Sequence, residues 1–141
     1  MGISKIWVFG EANEAGASAG TLELLTKART LADTVEVVMV GDASAVAGDL
    51  GAHGATVIHT IADANGALPG ARVASAIAGA LEAGAGPDVL LATTSYDGRD
   101  VAGRLSAKVD RPVLTNVVDL VVDGDRLLCS EPVFGGTTDV M

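Results

Sequence analysis

The sequence predicts an α/β domain: a parallel sheet with helices on both faces, followed by a C-terminal antiparallel hairpin. Three observations carry that reading. Four times in succession a short apolar run precedes a segment of helical periodicity, the pattern of parallel strands joined by right-handed crossovers. The runs are nearly continuously apolar, VEVVMV at residues 35–40 being the clearest, as in strands covered on both faces. Near the end, Asp123-Gly124 separates two β-rich runs, a type I′ hairpin signal.

In chain order, residues 5–9 (KIWVF) form the first strand and residues 10–20 a loop of small and polar residues. A helix is predicted over residues 21–32, with Leu24, Leu25, Ala28, Leu31 and Ala32 on its buried stripe. Ser18 or Thr21 is placed to cap it. The second strand, residues 35–40, turns at Gly41-Asp42 into a short helix at residues 44–50, and Gly51 and Gly54 lead to a third strand at residues 56–60. A loop over residues 63–69 precedes a helix at residues 71–83, buried through Val73, Ile77 and Leu81. Gly84, Gly86 and Pro87 then stop it.

Residues 88–109 (DVLLATTSYDGRDVAGRLSAKV) supply the fourth unit. An apolar strand at residues 89–92 ends in the hydroxyls of Thr93, Thr94 and Ser95, and Tyr96, Asp97 and Gly98 make the turn. Asp97 is read as the N-cap of the following helix and Asp100 as a charge in its first turn. Val101, Ala102, Leu105 and Val109 share one face, while Arg99, Asp100, Arg104 and Lys108 lie elsewhere. After Pro112, residues 114–122 and 126–133 read as the two hairpin strands. Gly135, Gly136 and the final TTDVM read as the start of a further β stretch. Residues 1–141 are therefore expected to be one domain of a longer protein, or a shortened chain.

A chain of 141 residues suffices for one domain with its own core. Apolar residues make up 49% but aromatic ones only 3%, so that core is built from Ala, Val, Leu and Ile. No apolar run approaches the roughly 18 residues of a membrane span, so no membrane insertion is expected. The N-terminus lacks the apolar stretch and cleavage site of a signal peptide. The single Cys129 excludes an internal disulfide and suits a reducing compartment, and a cytoplasmic location is expected. A net charge of −9 with no local basic patch speaks against a nucleic-acid partner.

In open α/β sheets ligands collect beyond the carboxyl ends of the strands, which makes Thr93, Thr94, Ser95 and Gly98 the first candidates for a ligand contact. A phosphate site would place a glycine-rich turn directly after a strand. After its first strand this chain instead offers GEANEAGASAG, with two acids and no such spacing, and it has no Walker loop. Gly48, Gly51 and Gly54 precede a strand instead of following one and read as helix termination. Asp97 and Asp100 would repel a phosphate at the Thr93–Ser95 crest, so its hydroxyls are read as satisfying strand-end backbone and capping the helix. Arg99, Arg104 and Lys108 read as a solvated helix face with an Asp100–Arg104 pair at i,i+4. His53, His59 and Cys129 lack the paired spacing of a metal site, and Ser95 has no His partner for a hydrolase triad. Neither catalytic nor metal-binding residues are assigned.

KIWVFGE with its glycine-containing loop and TLELLTKARTLA, the segment DVLLATTSYDGRDVAGRLSAKVDRPVLTNVVDL, and EPVFGGTTDV follow one another in an order that resembles the N-terminal domain of the electron transfer flavoprotein alpha subunit. The likeness covers nearly the whole chain. It implies a three-layer Rossmann-like fold of the adenine nucleotide alpha hydrolase type. It also implies a non-catalytic electron-carrier subunit that pairs with a beta subunit and takes electrons from flavin dehydrogenases such as acyl-CoA dehydrogenases to a quinone oxidoreductase. In that family FAD is held chiefly by a C-terminal domain, which has no counterpart here, so no cofactor is expected in this chain. The domain is then a scaffold and subunit-contact unit, using the hairpin and C-terminal edge, with self-association of the fragment as a further expectation. Two other readings are a nucleotide-binding module similar to universal stress proteins, whose glycine-rich phosphate turn has no match after Gly41, and a small hydrolase, which lacks a base.

Overall fold

The computed structural model describes residues 2–63 and 65–141; Met1, and Ala64 within the loop expected at residues 63–69, lie outside the described residues. The elements run β1 (Lys5–Phe9), β2 (Ala12–Asn13), β3 (Gly16–Ala17), α1 (Ala19–Ala28), β4 (Thr34–Val40), α2 (Ala47–Ala52) and β5 (Val57–Ile61). They continue with α3 (Gly70–Glu82), β6 (Val89–Leu91), α4 (Tyr96–Val109), β7 (Asp119–Asp123), β8 (Arg126–Val133) and β9 (Thr138–Val140). The parallel sheet has the order β5-β4-β1-β6.

Alternation along the strands splits the core into two layers. Ile6 and Val8 of β1 and Val35, Val37 and Met39 of β4 face Leu25 and Ala28 of α1 and Leu50 of α2. Trp7, Phe9 and Val38 face the other way, onto Val73, Ala74 and Ile77 of α3 and Val101 and Leu105 of α4. Both faces are therefore covered, as the continuous apolar runs required. The sparse aromatic content makes this a core of branched aliphatics, with Trp7 stacked on the His59 ring at 4.5 Å.

The start of α1 and the end of α3 follow their sequence signals, whereas α1 stops at Ala28, short of the expected residue 32. The Ser18 hydroxyl accepts the Thr21 N–H at the start of α1, while Thr21 is not the cap. At the end of α3, Gly84 takes a φ of 73°. Its N–H bonds Leu81 O, and Ala85 N–H bonds Ala80 O, a Schellman ending that glycine makes available.

One staple joins the chain's beginning to β6. The Asp88 carboxylate accepts from Ser4 N–H, Ser4 Oγ and Lys5 N–H at 2.9–3.0 Å. The Lys5 and Ser4 amides hold that carboxyl below the usual aspartate range, outweighing its slight burial. A group so depressed contributes stability above its unfolded pKa and loses it as pH falls through the native value. Asp88→Asn is expected to lower the urea midpoint at neutral pH, and the gap from the parent should shrink as pH falls through the lowered native value. A gap independent of pH would contradict this role.

Three expectations need correction. The loop at residues 10–20 contains the small β2–β3 ribbon. The strand expected at residues 114–122 begins only at Asp119, because Asn116 adopts a left-handed φ of 57° and breaks the extended run. The turn residues between β7 and β8 are Gly124-Asp125, and only Gly124 has positive φ, so the turn is not type I′, which needs positive φ at both. The expected hairpin of β7 and β8 is present, and the further β stretch expected at the end forms β9, which pairs with β8 to make a three-stranded antiparallel sheet. Lys27 of α1 ties this sheet to the parallel unit through a 2.6 Å ion pair with Asp119.

Candidate functional site

The chain steps from β1 outward to β4 and β5, then returns to the other side of β1 for β6. The order therefore reverses between β1 and β6, and the carboxyl ends of these two strands flank the position where open α/β sheets take ligands. Thr93, Ser95 and Gly98 lie here, as expected, but a residue outside the expected set organises them. Glu11, two residues beyond β1, crosses to the crest, and its Oε1 accepts from Thr93 Oγ1 and from Ser95 Oγ, each at 2.7 Å.

The same Glu11 is tied to α1. Its N–H donates to Thr21 Oγ1 at 3.0 Å, and its carbonyl accepts from Ser18 N–H at 2.8 Å. Thr21 is fully buried, and its Oγ1 also meets Ser18 Oγ. On the far side, Ser95 caps α4 by accepting the Gly98 N–H at 3.0 Å. A hydrogen-bond relay thus runs from an orphan amide of α4 through the Ser95 hydroxyl to the Glu11 carboxylate.

Close approach reinforces the junction. A Cβ on Gly20 would lie 2.6 Å from Thr93 Cγ2, and one on Gly98 would overlap the Thr93 carbonyl oxygen. Thr94 is exposed and makes no side-chain hydrogen bond among the described residues. The N-cap of α4 is Ser95 and not Asp97, which instead supplies the acidic residue of the first turn. Asp100 pairs with Arg104 at 2.8 Å, as expected. Asp100, expected in the first turn of α4, is its fifth residue and lies beyond that turn; its carboxylate instead lies against Gly70 at the start of α3, where a Cβ would collide with it.

Beside the junction, Phe9, Glu11, Asp42, Pro69 and Asp97 help to line a crevice of about 220 Å³. The Ser44 hydroxyl and N–H hold the Asp42 carboxyl below the usual aspartate range. Three carboxylates and no cationic side chain line the crevice, a chemistry that repels phosphate. A larger, shallower depression of about 470 Å³ on α1 includes Lys27, already paired with Asp119, and His53.

The remaining candidates have local roles. His53 Nδ1 lies 2.8 Å from the Asp49 carbonyl, and His59 Nε2 meets the buried Glu36 carboxylate at 2.7 Å. Burial, with Glu131 beside it, raises the Cys129 thiol, the opposite of what a nucleophile needs. Among the described residues no group of three His, Cys, Asp or Glu side chains is placed to hold a metal ion.

The electron transfer flavoprotein domain family matches residues 6–140. The chain belongs to the electron transfer flavoprotein family. Two of its relatives are electron transfer flavoprotein alpha subunits from Mycobacterium tuberculosis strains CDC 1551 and H37Rv, each 31% identical over 144 residues. A third, from Syntrophomonas wolfei, carries the same name and is 26% identical over 133 residues. The alignments take in 98% of this chain for the first two and 92% for the third. They span only 43% and 41% of those relatives, so the chain covers less than half the length of each. The family and subunit resemblance drawn from the order of the sequence blocks is borne out.

Proposed function

We propose that this chain is the N-terminal scaffold and subunit-contact domain of an electron transfer flavoprotein alpha subunit. The observation that carries the reading is the family match over nearly the whole chain, set against relatives more than twice as long. On this reading the whole protein holds FAD in a C-terminal domain. From the cytoplasm it carries electrons from flavin dehydrogenases, acyl-CoA dehydrogenases among them, to a membrane quinone oxidoreductase. The domain alone is non-catalytic. Thr93, Ser95 and Gly98 then belong to the structural junction at the sheet crest, Thr94 stands exposed beside it, and no flavin contact is assigned to any of the four.

The contact with a beta subunit is placed on the C-terminal sheet. Val121, Phe134, Val140 and Met141 are all exposed there, Phe134 to 83%. An exposed apolar edge of this kind favours pairing with another chain, a second copy included. No helix of the described residues is long and apolar enough to cross a membrane.

The test of the cofactor assignment is a visible spectrum of the purified 141-residue chain after incubation with excess FAD and desalting. A colourless protein is expected. A stoichiometric, tightly held flavin would overturn the assignment, and micromolar ATP binding in a titration calorimeter would favour a nucleotide-binding module instead.

A further inference from the structure

We infer that residues 119–141, the sheet of β7, β8 and β9, form a hinged flap held to the parallel unit by a latch between Lys27 of α1 and Asp119 of β7. No residue of this sheet belongs to either core layer. Only Leu120 and Ser130 within it are buried. Among the described residues, the 2.6 Å pair of Lys27 and Asp119 is the one hydrogen bond or ion pair that joins the flap to residues 2–110. The connector, residues 111–118, is exposed throughout except at Val117. Non-glycine residues of left-handed φ stand just before it and near its end, Asp110 at 51° and Asn116 at 57°. Residues 112–117 make no hydrogen bond among the described residues. A unit joined by so few buried contacts and backbone bonds opens at a free energy well below that of the whole domain. The Lys27 ammonium and the Leu120 N–H hold the Asp119 carboxyl below the usual aspartate range, so the latch is an ion pair at neutral pH. Both partners are exposed, which makes the latch weak and open to screening by salt. The flap carries Val121, Phe134, Val140 and Met141, so on the reading proposed above the latch positions the subunit-contact surface, while the hinge itself does not depend on that reading.

Native-state hydrogen exchange of the 141-residue chain at neutral pH tests this. Amides of β7, β8 and β9, corrected for intrinsic rates, should exchange at least about tenfold faster than those of β1 and β4. Lys27→Gln should speed flap exchange about two- to fivefold, the effect of losing an exposed ion pair, and leave β1 and β4 unchanged. Asp119→Asn, which keeps an oxygen for the Leu120 N–H, should do the same. The double variant should exchange no faster than either single one, since each removes the same pair. Sodium chloride at about 1 M should bring the parent to the rate of the variants and leave the variants where they are. Flap exchange as slow as that of β4 would overturn the inference, because the sheet would then open only with the whole domain. So would flap exchange that neither substitution changes, a gain shared equally by β4, or single effects that add in the double variant.

Discussion

Ile77→Ala is expected to destabilise the domain by about 3 to 4 kcal/mol, measured as the unfolding free energy from urea melts. Ile77 is fully buried on α3, where it meets the layer of Trp7, Phe9 and Val38 below and of Val101 and Leu105 on α4. Three carbons leave with the substitution, and the lost transfer energy is joined by the cost of the cavity. The surrounding strands pack on both faces, so the site has little room to collapse into that space. A domain holds only about 5 to 15 kcal/mol in total, so such a loss brings this one close to unfolding. A change below about 1 kcal/mol would mean that the α3 layer is not packed as described.

The second large effect is expected at the crest. Gly98 is the third residue of α4, and a Cβ there would overlap the Thr93 carbonyl oxygen and lie 3.1 Å from Ser95 Oγ. The obstacle is backbone, so no side-chain rotation relieves it. Gly98→Ala is expected to cost about 3 kcal/mol, the upper end of the overpacking range. Gly103, farther along the same helix, has open space where its Cβ would stand. Gly103→Ala should stabilise the protein by about 0.5 to 1 kcal/mol through helix propensity and a less free unfolded chain. The opposite signs of the two substitutions test the junction itself, since propensity alone favours alanine at both sites. A stabilising Gly98→Ala would remove the basis for the tight β6–α4 turn.

Much of this architecture was legible because its signals are local. The KIWVF and VEVVMV runs are β1 and β4 almost to the residue, since a strand covered on both faces must be apolar throughout. The Gly84 stop of α3 was equally plain, because glycine takes the left-handed φ that the helix ending needs. Readings failed where two local signals competed or where distant residues decided. Ser95 and Asp97 are both good N-caps two positions apart, and the extended backbone at Ser95 selects the earlier one. The β-branched run after Pro112 looked like a strand, but Val113, Leu114 and Val118 are exposed and Asn116 interrupts the extension. Glu11 entered the sequence reading only as a negative charge in a loop. Its partners stand 82 and 84 residues away, and no periodicity or spacing announces such a pair.

The candidate crest was located from strand-end geometry; of its hydroxyls Ser95 caps α4, Thr93 and Ser95 donate to Glu11, and Thr94 stands exposed. What the sequence withheld was the group they bind. No ligand contact is assigned at the crest, and the role proposed for the domain lies at its surfaces. The most direct test of this account is sedimentation of the 141-residue chain with and without the beta subunit encoded by the same source. The account predicts a faster-sedimenting one-to-one complex, weakened by a charged residue in place of Phe134 or Val140. A strict monomer, unchanged when the beta subunit is added, would contradict it.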